Sequence, residues 1–354
     1  MNKVLRVGIA GYGSVGRIRH RYIDLHKNMK VAAICDQSFA NNKPALPQVQ
    51  CYSNYKELLK EKLDVLFVCL PNYLASEVTI AGLDKGLHVF CEKPPAKDLQ
   101  GLINVIRCEK KHPRQVLMYG FNHRYHYSVK DALKVIKSGK LGKVISLRGV
   151  YGKSKIIRFD TDWRTKRALS GGGILLDQGI HMVDMMRLFA AEEFPEIRSF
   201  VTNSYWKHDV EDNAYAIMQT KSGVVAMLHS SATQWRHKFN LDIILTKGAI
   251  LLSGILTSTR SYGAETITIV HSDENSNGDP KEEMTRYNED VSWKEETFQF
   301  ADVVLKKTAM VHGSSLEALK TMNTVYNIYA ADSAWCKKYR IKTHIPEVER
   351  LIRR

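Results

Sequence analysis

Between an apolar run, Val4–Ala10, and a helix-like segment near Val15–Leu25 stands Gly11-Tyr12-Gly13-Ser14-Val15-Gly16. The order strand, glycine loop, helix leaves few folds open to the chain. Gly11 permits a tight turn, Gly13 lets the backbone approach a pyrophosphate, and Gly16 allows the helix to pack closely on the strand. Tyr12, Ser14 and Val15 complete the loop, and the free N–H groups at the helix start suit the pyrophosphate charge. A second strand ends at Asp36, 20 residues beyond Gly16, where an acid holds a ribose diol. Gln37, Ser38 and Phe39 bring no arginine for a 2′-phosphate, and the next cation is Lys43. NAD is therefore the expected cofactor and NADP is disfavoured.

Downstream of this loop, the first 120 residues keep alternating in the way that builds a parallel sheet. Strand-like runs fall at Val31–Cys35, Val65–Leu70, His88–Cys91 and Val116–Tyr119. Helix-like segments lie between them near Tyr55–Lys60, Ala75–Lys85 and Leu99–Lys111. Gly120-Phe121-Asn122 marks the end of a Rossmann domain, residues 1–122. Residues 123–354 form the second domain, which reads as α+β with a large, mostly antiparallel open sheet. It opens with helix Ser128–Ser138 and strand Val144–Val150, and a helix follows from Leu175 to Phe189. Short β-rich runs then continue to about Val304, at Ala214–Gln219, Val224–Ser230, Leu241–Leu245, Ile250–Leu252 and Thr266–Val270. Ser272–Glu283 is polar and reads as an exposed loop or hairpin tip. A helix over Ser315–Tyr339 and a basic tail end the chain.

Composition narrows the class further. A chain of 354 residues exceeds one ordinary core, so two domains are expected. The amino-terminal run is short, carries Arg6 and leads into the glycine loop, unlike a signal peptide. No stretch of 18 apolar residues suits a membrane span. The cysteines, Cys35, Cys51, Cys69, Cys91, Cys108 and Cys336, show no paired or metal-type spacing. No disulfide, zinc or other metal is expected, and the pattern fits a reducing cytoplasm. The net charge of +15 attracts anionic ligands. Its dispersion, and the lack of any recognition-helix or RNA-binding motif, favour an anionic small molecule over nucleic acid.

Two motifs carry chemistry. Glu92-Lys93-Pro94 closes the buried-strand run Gly86–Cys91, and the proline restricts the backbone of the lysine before it. Strands of an open parallel sheet bind ligands at their carboxyl ends. Pro71-Asn72 and Glu92-Lys93 therefore belong on the cofactor edge. Lys93 there would stabilise oxyanion character as a hydride moves. The second motif is Gly171-Gly172-Gly173 followed by Asp177, Gln178, His181 and Asp184. Asp177 and His181 are four apart, hence on one face of a helix, an arrangement that suits a proton relay. Asp184 is expected to cap or brace the same helix.

Taken together, Gly11–Gly16, Pro71-Asn72, Glu92-Lys93-Pro94 and Gly171–His181 with Asp184 resemble the Gfo/Idh/MocA oxidoreductases, relatives of glucose–fructose oxidoreductase and inositol dehydrogenase. The resemblance covers about residues 4–190. It implies that Lys93, Asp177 and His181 are the catalytic lysine, aspartate and histidine, and that the open sheet forms a homodimer or homotetramer. Ala75 departs from the pattern, because relatives usually place a histidine there.

The substrate side is expected to include Asn122, Arg124, Tyr151, Trp163, Arg164, Asp177, Gln178 and His181. Arg164 carries a fork of donors for phosphate or carboxylate, and Trp163 suits stacking on a sugar face. Tyr151 and Trp235 are weaker stacking candidates. With Arg158, Lys166 and Arg167, the charge tilts the expectation towards a nucleotide-linked or other anionic sugar. The expected reaction is NAD-dependent hydride transfer at a secondary alcohol or ketone of that sugar. Inositol or free-sugar dehydrogenation is the alternative, and a non-catalytic NAD-binding regulator is the reading from another class. The sequence does not choose between Lys93 and His181 as the proton-transfer group.

Overall fold

A computed structural model describes residues 3–154, 163–257, 261–272, 280–342 and 344–352. The chain divides into two compact units. The first comprises Met1–Asn122, Trp293–Leu319 and Glu347–Arg354, and the second His123–Ser292 and Lys320–Pro346. In the first unit run β1 (Leu5–Ala10), α1 (Ser14–Asp24), β2 (Met29–Cys35), β3 (Gln50–Tyr52), α2 (Tyr55–Leu58), β4 (Val65–Val68), α3 (Asn72–Asp84), β5 (His88–Glu92), α4 (Leu99–Lys111) and β6 (Leu117–Gly120). The strands form one parallel sheet in the order β3-β2-β1-β4-β5-β6. Strand order reverses between β1 and β4, and the crevice at such a reversal is where doubly wound sheets take ligands. The edge strand β3 was not expected, since three residues are too few to show a period.

The second unit holds α5 (Tyr127–Ser138), β7 (Val144–Gly152), α6 (Arg167–Ser170), a π-helical turn at Leu175–Gly179, and α7 (Ile180–Ala190). There follow β8 (Glu196–Thr202), β9 (Asn213–Gln219), β10 (Val225–Ser231), β11 (Lys238–Leu245), β12 (Gly248–Ser253), β13 (Glu265–His271) and β14 (Lys281–Tyr287). These strands make one sheet, β14-β13-β12-β11-β7-β10-β9-β8, antiparallel except where β10 meets β7. Helix α7 packs on one face of it. A Cβ on Gly149 of β7 would lie 2.6 Å from both Met182 Sδ and Met186 Cε, so the methionines of the helix pack directly over this glycine.

The carboxyl-terminal third corrects several expectations. Ser292–Lys306 is a helix, α8, where a β-rich run was expected to reach Val304. Its buried residues Glu296, Thr297, Phe300 and Ala301 recur at helical spacing. The expected helix Ser315–Tyr339 is two, α9 (Ser315–Ala331) and α10 (Ser333–Tyr339). The break falls at Asp332, whose carboxylate accepts the Trp335 N–H at 2.9 Å and caps α10. A short helix, α11 (Pro346–Ile352), occupies the basic tail. β8 and β14 were not foreseen. β14 is almost wholly exposed and lacks apolar alternation, and residues 273–279 of the expected polar loop lie outside the described residues.

A single second domain at 123–354 is therefore revised, because residues 293–319 and 347–354 return to the Rossmann unit. The reason is packing. Phe300 of α8 meets Phe67 and Phe90 edge-on, each at 5.5 Å, while those two rings stack at 4.9 Å.

Candidate active site

At the cofactor edge of the first unit, the glycine loop has the geometry its residues require. Gly11 has φ +93°, and a Cβ there would lie 2.3 Å from the Cys69 carbonyl oxygen. A Cβ on Gly16 would lie 2.1 Å from the Gly11 oxygen, whereas one on Gly13 would meet nothing within 4 Å. The loop is thus packed behind and open in front, as a pyrophosphate needs. Asp36 accepts the Tyr12 N–H at 2.9 Å and both the N–H and hydroxyl of Ser38, at 3.0 and 2.7 Å. Burial pushes its carboxyl up, but these bonds and the charge of Arg17 prevail and hold it below the usual range. An ionised Asp36 suits a ribose diol and repels a 2′-phosphate. Tyr12 is fixed by a 2.7 Å bond from its hydroxyl to His20 Nδ1 and by edge contact with Phe39.

Pro71 caps α3 and Asn72, its first residue, is buried. Ala75, the departure from the family pattern, is buried as well. Lys93 is half-buried at the end of β5, and the Lys93–Pro94 peptide is cis. The preceding Glu92 belongs to a cluster that the sequence did not reveal. Arg19 of α1 is fully buried, donates from Nε to Glu92 at 2.7 Å and pairs through Nη2 with Glu296 of α8. Its guanidinium carbon stands 4.4 Å from the Phe90 ring centroid and 4.6 Å from that of Trp293. Gly120 makes room, since a Cβ there would lie 3.0 Å from Glu92 Oε2. No motif links Arg19 to Glu296, 277 residues apart.

In the second unit the glycine run is explained by Glu211. This buried carboxylate accepts the N–H groups of Gly173 and Leu175 at 2.8 and 3.0 Å and the Tyr329 hydroxyl at 2.6 Å. A Cβ on Gly173 would lie 2.2 Å from the Glu211 carbonyl oxygen. Glu211 thus takes the place of a side-chain N-cap for the helix carrying Asp177 and His181. That helix begins with the π turn Leu175–Gly179, a feature frequent at functional sites. Asp177 faces Lys153 Nζ at 3.9 Å and Arg164 Nε at 3.6 Å. His181 stacks on His123, ring centroids 3.7 Å apart and planes 13° from parallel.

Behind that stack lies a chain of polar groups. His123 Nε2 and the Tyr151 hydroxyl share a 3.0 Å hydrogen bond. Gln178 donates to the Tyr262 hydroxyl at 3.2 Å, and His237 stacks on the Tyr262 ring at 4.8 Å. Burial, and then the charge of Asp177 for Tyr151 and the Tyr151 phenol for Tyr262, push both phenols well above their ordinary range. Both stay protonated as hydrogen-bond donors.

Several expected substrate residues change role. Arg124 is buried and forms a two-pronged pair with Asp184, 2.7 Å on each side. Thr321 donates to the same carboxylate at 3.0 Å. Arg124 thus braces α7 through its pair with Asp184. Tyr151 is fully buried, so it offers a hydroxyl network and no stacking face. Asn122 is buried at the end of the first unit. Trp163 is half-buried with the Arg164 guanidinium 4.4 Å from its ring centroid, while Trp235 is exposed. Arg158 lies outside the described residues. His123, Lys153, Glu211 and Tyr262 were missed, for each is distant in sequence from the motif it serves.

A parallel sheet in dinucleotide-binding order, with an open glycine loop and an ionised acid after β2, defines an NAD-binding oxidoreductase. The chain belongs to the Gfo/Idh/MocA family. Residues 5–121 match its oxidoreductase family, NAD-binding Rossmann fold, and residues 129–251 match a GFO/IDH/MocA C-terminal domain. D-glucoside 3-dehydrogenase of Escherichia coli (strain K12) is 28% identical over 256 residues, 64% of this chain and 70% of that protein. Myo-inositol 2-dehydrogenase of Thermotoga maritima is 26% identical over 264 residues, 72% of this chain and 77% of that protein. The fold is also similar to that of levoglucosan dehydrogenase in complex with NADH and levoglucosan. That comparison gives a TM-score of 0.80 at 18% identity, covering 94% of this chain and 98% of the other.

Proposed function

We propose that this chain uses NAD to oxidise a secondary hydroxyl of an uncharged sugar, glycoside or cyclic polyol, or reduces the matching ketone. The observation that carries the reading is the hydroxyl-bearing cluster around His181, built from His123, Tyr151, Gln178 and Tyr262. Such groups exchange hydrogen bonds with a polyol. The curated relatives named above, which act on glucosides and inositols, support the same class. An anionic or nucleotide-linked sugar is the second reading. Lys153 and Arg164 favour it, and Asp177, within 4 Å of both, offsets one of their two positive charges.

NAD, when bound, accepts or supplies the hydride. Gly11–Gly16, Pro71-Asn72 and Asp36 hold it in this reading, with Glu92 setting the backbone before Lys93. Lys93 donates a hydrogen bond to the reacting oxygen and stabilises its negative character. His181, supported through its stack on His123, takes the hydroxyl proton, and Asp177 tunes the local field together with Lys153 and Arg164. Trp163 and Gln178 orient the rest of the ring.

The test is to follow NADH absorbance with a panel of inositols, glucosides, free sugars and nucleotide sugars, in wild type and Lys93→Met. The expected outcome is turnover of a neutral polyol, cut by at least about a hundredfold in the variant, with NADH binding retained. Turnover of nucleotide sugars alone would favour the second reading. NADH binding without turnover of any compound would favour a regulator.

The same unit suggests how copies assemble. Phe200, Tyr215, Ile217 and Met227 point from the sheet with 74, 44, 53 and 49% exposure. Cross-strand register places Phe200 beside Tyr215 and Ile217 beside Met227. A second copy of this face would bury them, consistent with a homo-oligomer.

A further inference from the structure

We propose that Asp84, Cys108 and His112 form a binding site for a thiophilic divalent metal ion, Zn²⁺ above all, on the first unit. Asp84 is the last residue of α3, and Cys108 lies in the last turn of α4. His112 is the residue that ends α4. The thiol and imidazole are four apart, so they share a helix face, and Asp84 meets them from the neighbouring helix. His112 Nε2 lies 2.8 Å from Asp84 Oδ1, and Cys108 Sγ lies 3.3 Å from the same oxygen. One ligating atom from each residue falls within 4.8 Å of the other two. Tetrahedral zinc with bond lengths of roughly 2.0–2.3 Å needs its donor atoms about 3.4–3.6 Å apart. The exposed Asp84 side chain can move outward to lengthen its own two distances towards that spacing.

The donor set selects the ion. Sulfur and imidazole nitrogen with a single carboxylate suit Zn²⁺, Co²⁺, Ni²⁺ or Cu²⁺ and not Mg²⁺ or Ca²⁺, which demand oxygen. The position helps as well. Both α3 and α4 end here, and the carboxyl ends of helices carry partial negative charge. Against this stand the flanking Lys85, Lys110 and Lys111, whose charges lower affinity for any cation. Three protein ligands leave a position for water or a small anion. The site is separate from the cofactor end of the unit. Helices α3 and α4 return the chain to the starts of β5 and β6, the sheet edge opposite Gly11–Gly16 and Lys93. It also departs from the absence of metal expected from cysteine spacing, because Asp84 precedes Cys108 by 24 residues.

The full-length protein, stripped with a chelator and titrated with Zn²⁺ against a chromophoric competitor, should bind one ion per chain. Co²⁺ should give a thiolate-to-cobalt charge-transfer band in the near ultraviolet. Cys108→Ser should abolish the band. Asp84→Asn and His112→Ala should each weaken Zn²⁺ binding by at least the 10–100-fold seen when outer-shell groups are lost, and Cys336→Ser should leave it unchanged. Zn²⁺ should raise the melting temperature of the wild type and not of the three ligand variants. Asp84→Asn, at an exposed position, guards against a variant that simply fails to fold. Zn²⁺ affinity and a cobalt band that survive Cys108→Ser, or no bound ion in the wild type, would overturn the site.

Discussion

Arg19 donates from Nε to Glu92 at 2.7 Å while its other arm holds Glu296, so one buried cation serves two carboxylates. The cluster ties α1, which follows the glycine loop, to β5, which carries Lys93, and to α8. Replacing Arg19 by Met keeps the bulk between Phe90 and Trp293 but leaves both carboxylates without their cation. Losing one partner of a buried ion pair costs about 3–5 kcal/mol. Arg19→Met should lower unfolding stability by that order in urea at pH 7. A loss under about 1 kcal/mol, the value of an exposed pair, would show that the cluster is not a structural tie.

Two carboxylates on one guanidinium carry a surplus negative charge, and its effect depends on pH. Burial first, with the nearby charge of Glu92 opposing Arg19, raises the Glu296 carboxyl from its ordinary 4.5 to about 7. The folded state then binds a proton that the unfolded chain has released. Stability from this group is complete below the unfolded value and is lost as pH rises through the folded one. Glu296→Gln keeps Arg19 balanced by Glu92 and removes that loss. Urea midpoints between pH 5 and pH 8 should therefore fall more steeply for wild type than for the variant. Parallel profiles would refute the raised Glu296.

Cofactor choice rests on Asp36, whose ionised carboxylate is held by Tyr12 and Ser38. Arg17 lies close enough to influence that carboxylate. Asp36→Ser should weaken binding of NADH by losing the ribose contact. It should also improve NADPH, as Arg17 and Lys43 become available to a 2′-phosphate. Each bond to a charged group is worth about 1.5–3 kcal/mol, so the NADH/NADPH preference should move by at least tenfold, read from the two dissociation constants. An unchanged ratio would place the ribose elsewhere.

Legibility followed chemistry and local period. The glycine loop, Asp36, Glu92-Lys93-Pro94 and the parallel order of the first sheet were readable because each rests on contiguous residues or a strand–helix alternation. Lys93, Asp177 and His181 were singled out through motifs, but the groups that surround Asp177 and His181 were not. His123 and Lys153 precede Asp177 by 54 and 24 positions in the sequence, and Glu211 follows it by 34. Arg19 looked like any residue of an amphipathic helix, because its partner Glu296 arrives with a helix near the end of the chain. The π turn was hidden too, since Leu175–Gly179 has the composition of ordinary helix. Arg124 misled for the same reason. Its position after the last Rossmann strand suggested substrate, and its two bonds to Asp184, 60 residues later, were not legible.

The open face of the second sheet gives the last prediction. β9 alternates strictly, with Ala214, Ala216 and Met218 buried and Tyr215 and Ile217 exposed. The inward set packs in the core while the outward set remains apolar, which solvent alone does not favour. Tyr215 also stacks on His229 of β10, centroids 4.2 Å apart, so the outward row is ordered without help from a partner. A carboxylate in the centre of a self-complementary interface meets its own copy across a twofold axis, and that like-charge contact costs several kcal/mol. Ile217→Glu should therefore shift the protein from an oligomer to a smaller species in light scattering coupled to size exclusion, with the melting temperature of each subunit little changed. A wild type that is monomeric at tens of micromolar, or a variant with unaltered mass, would mean that this face serves another purpose.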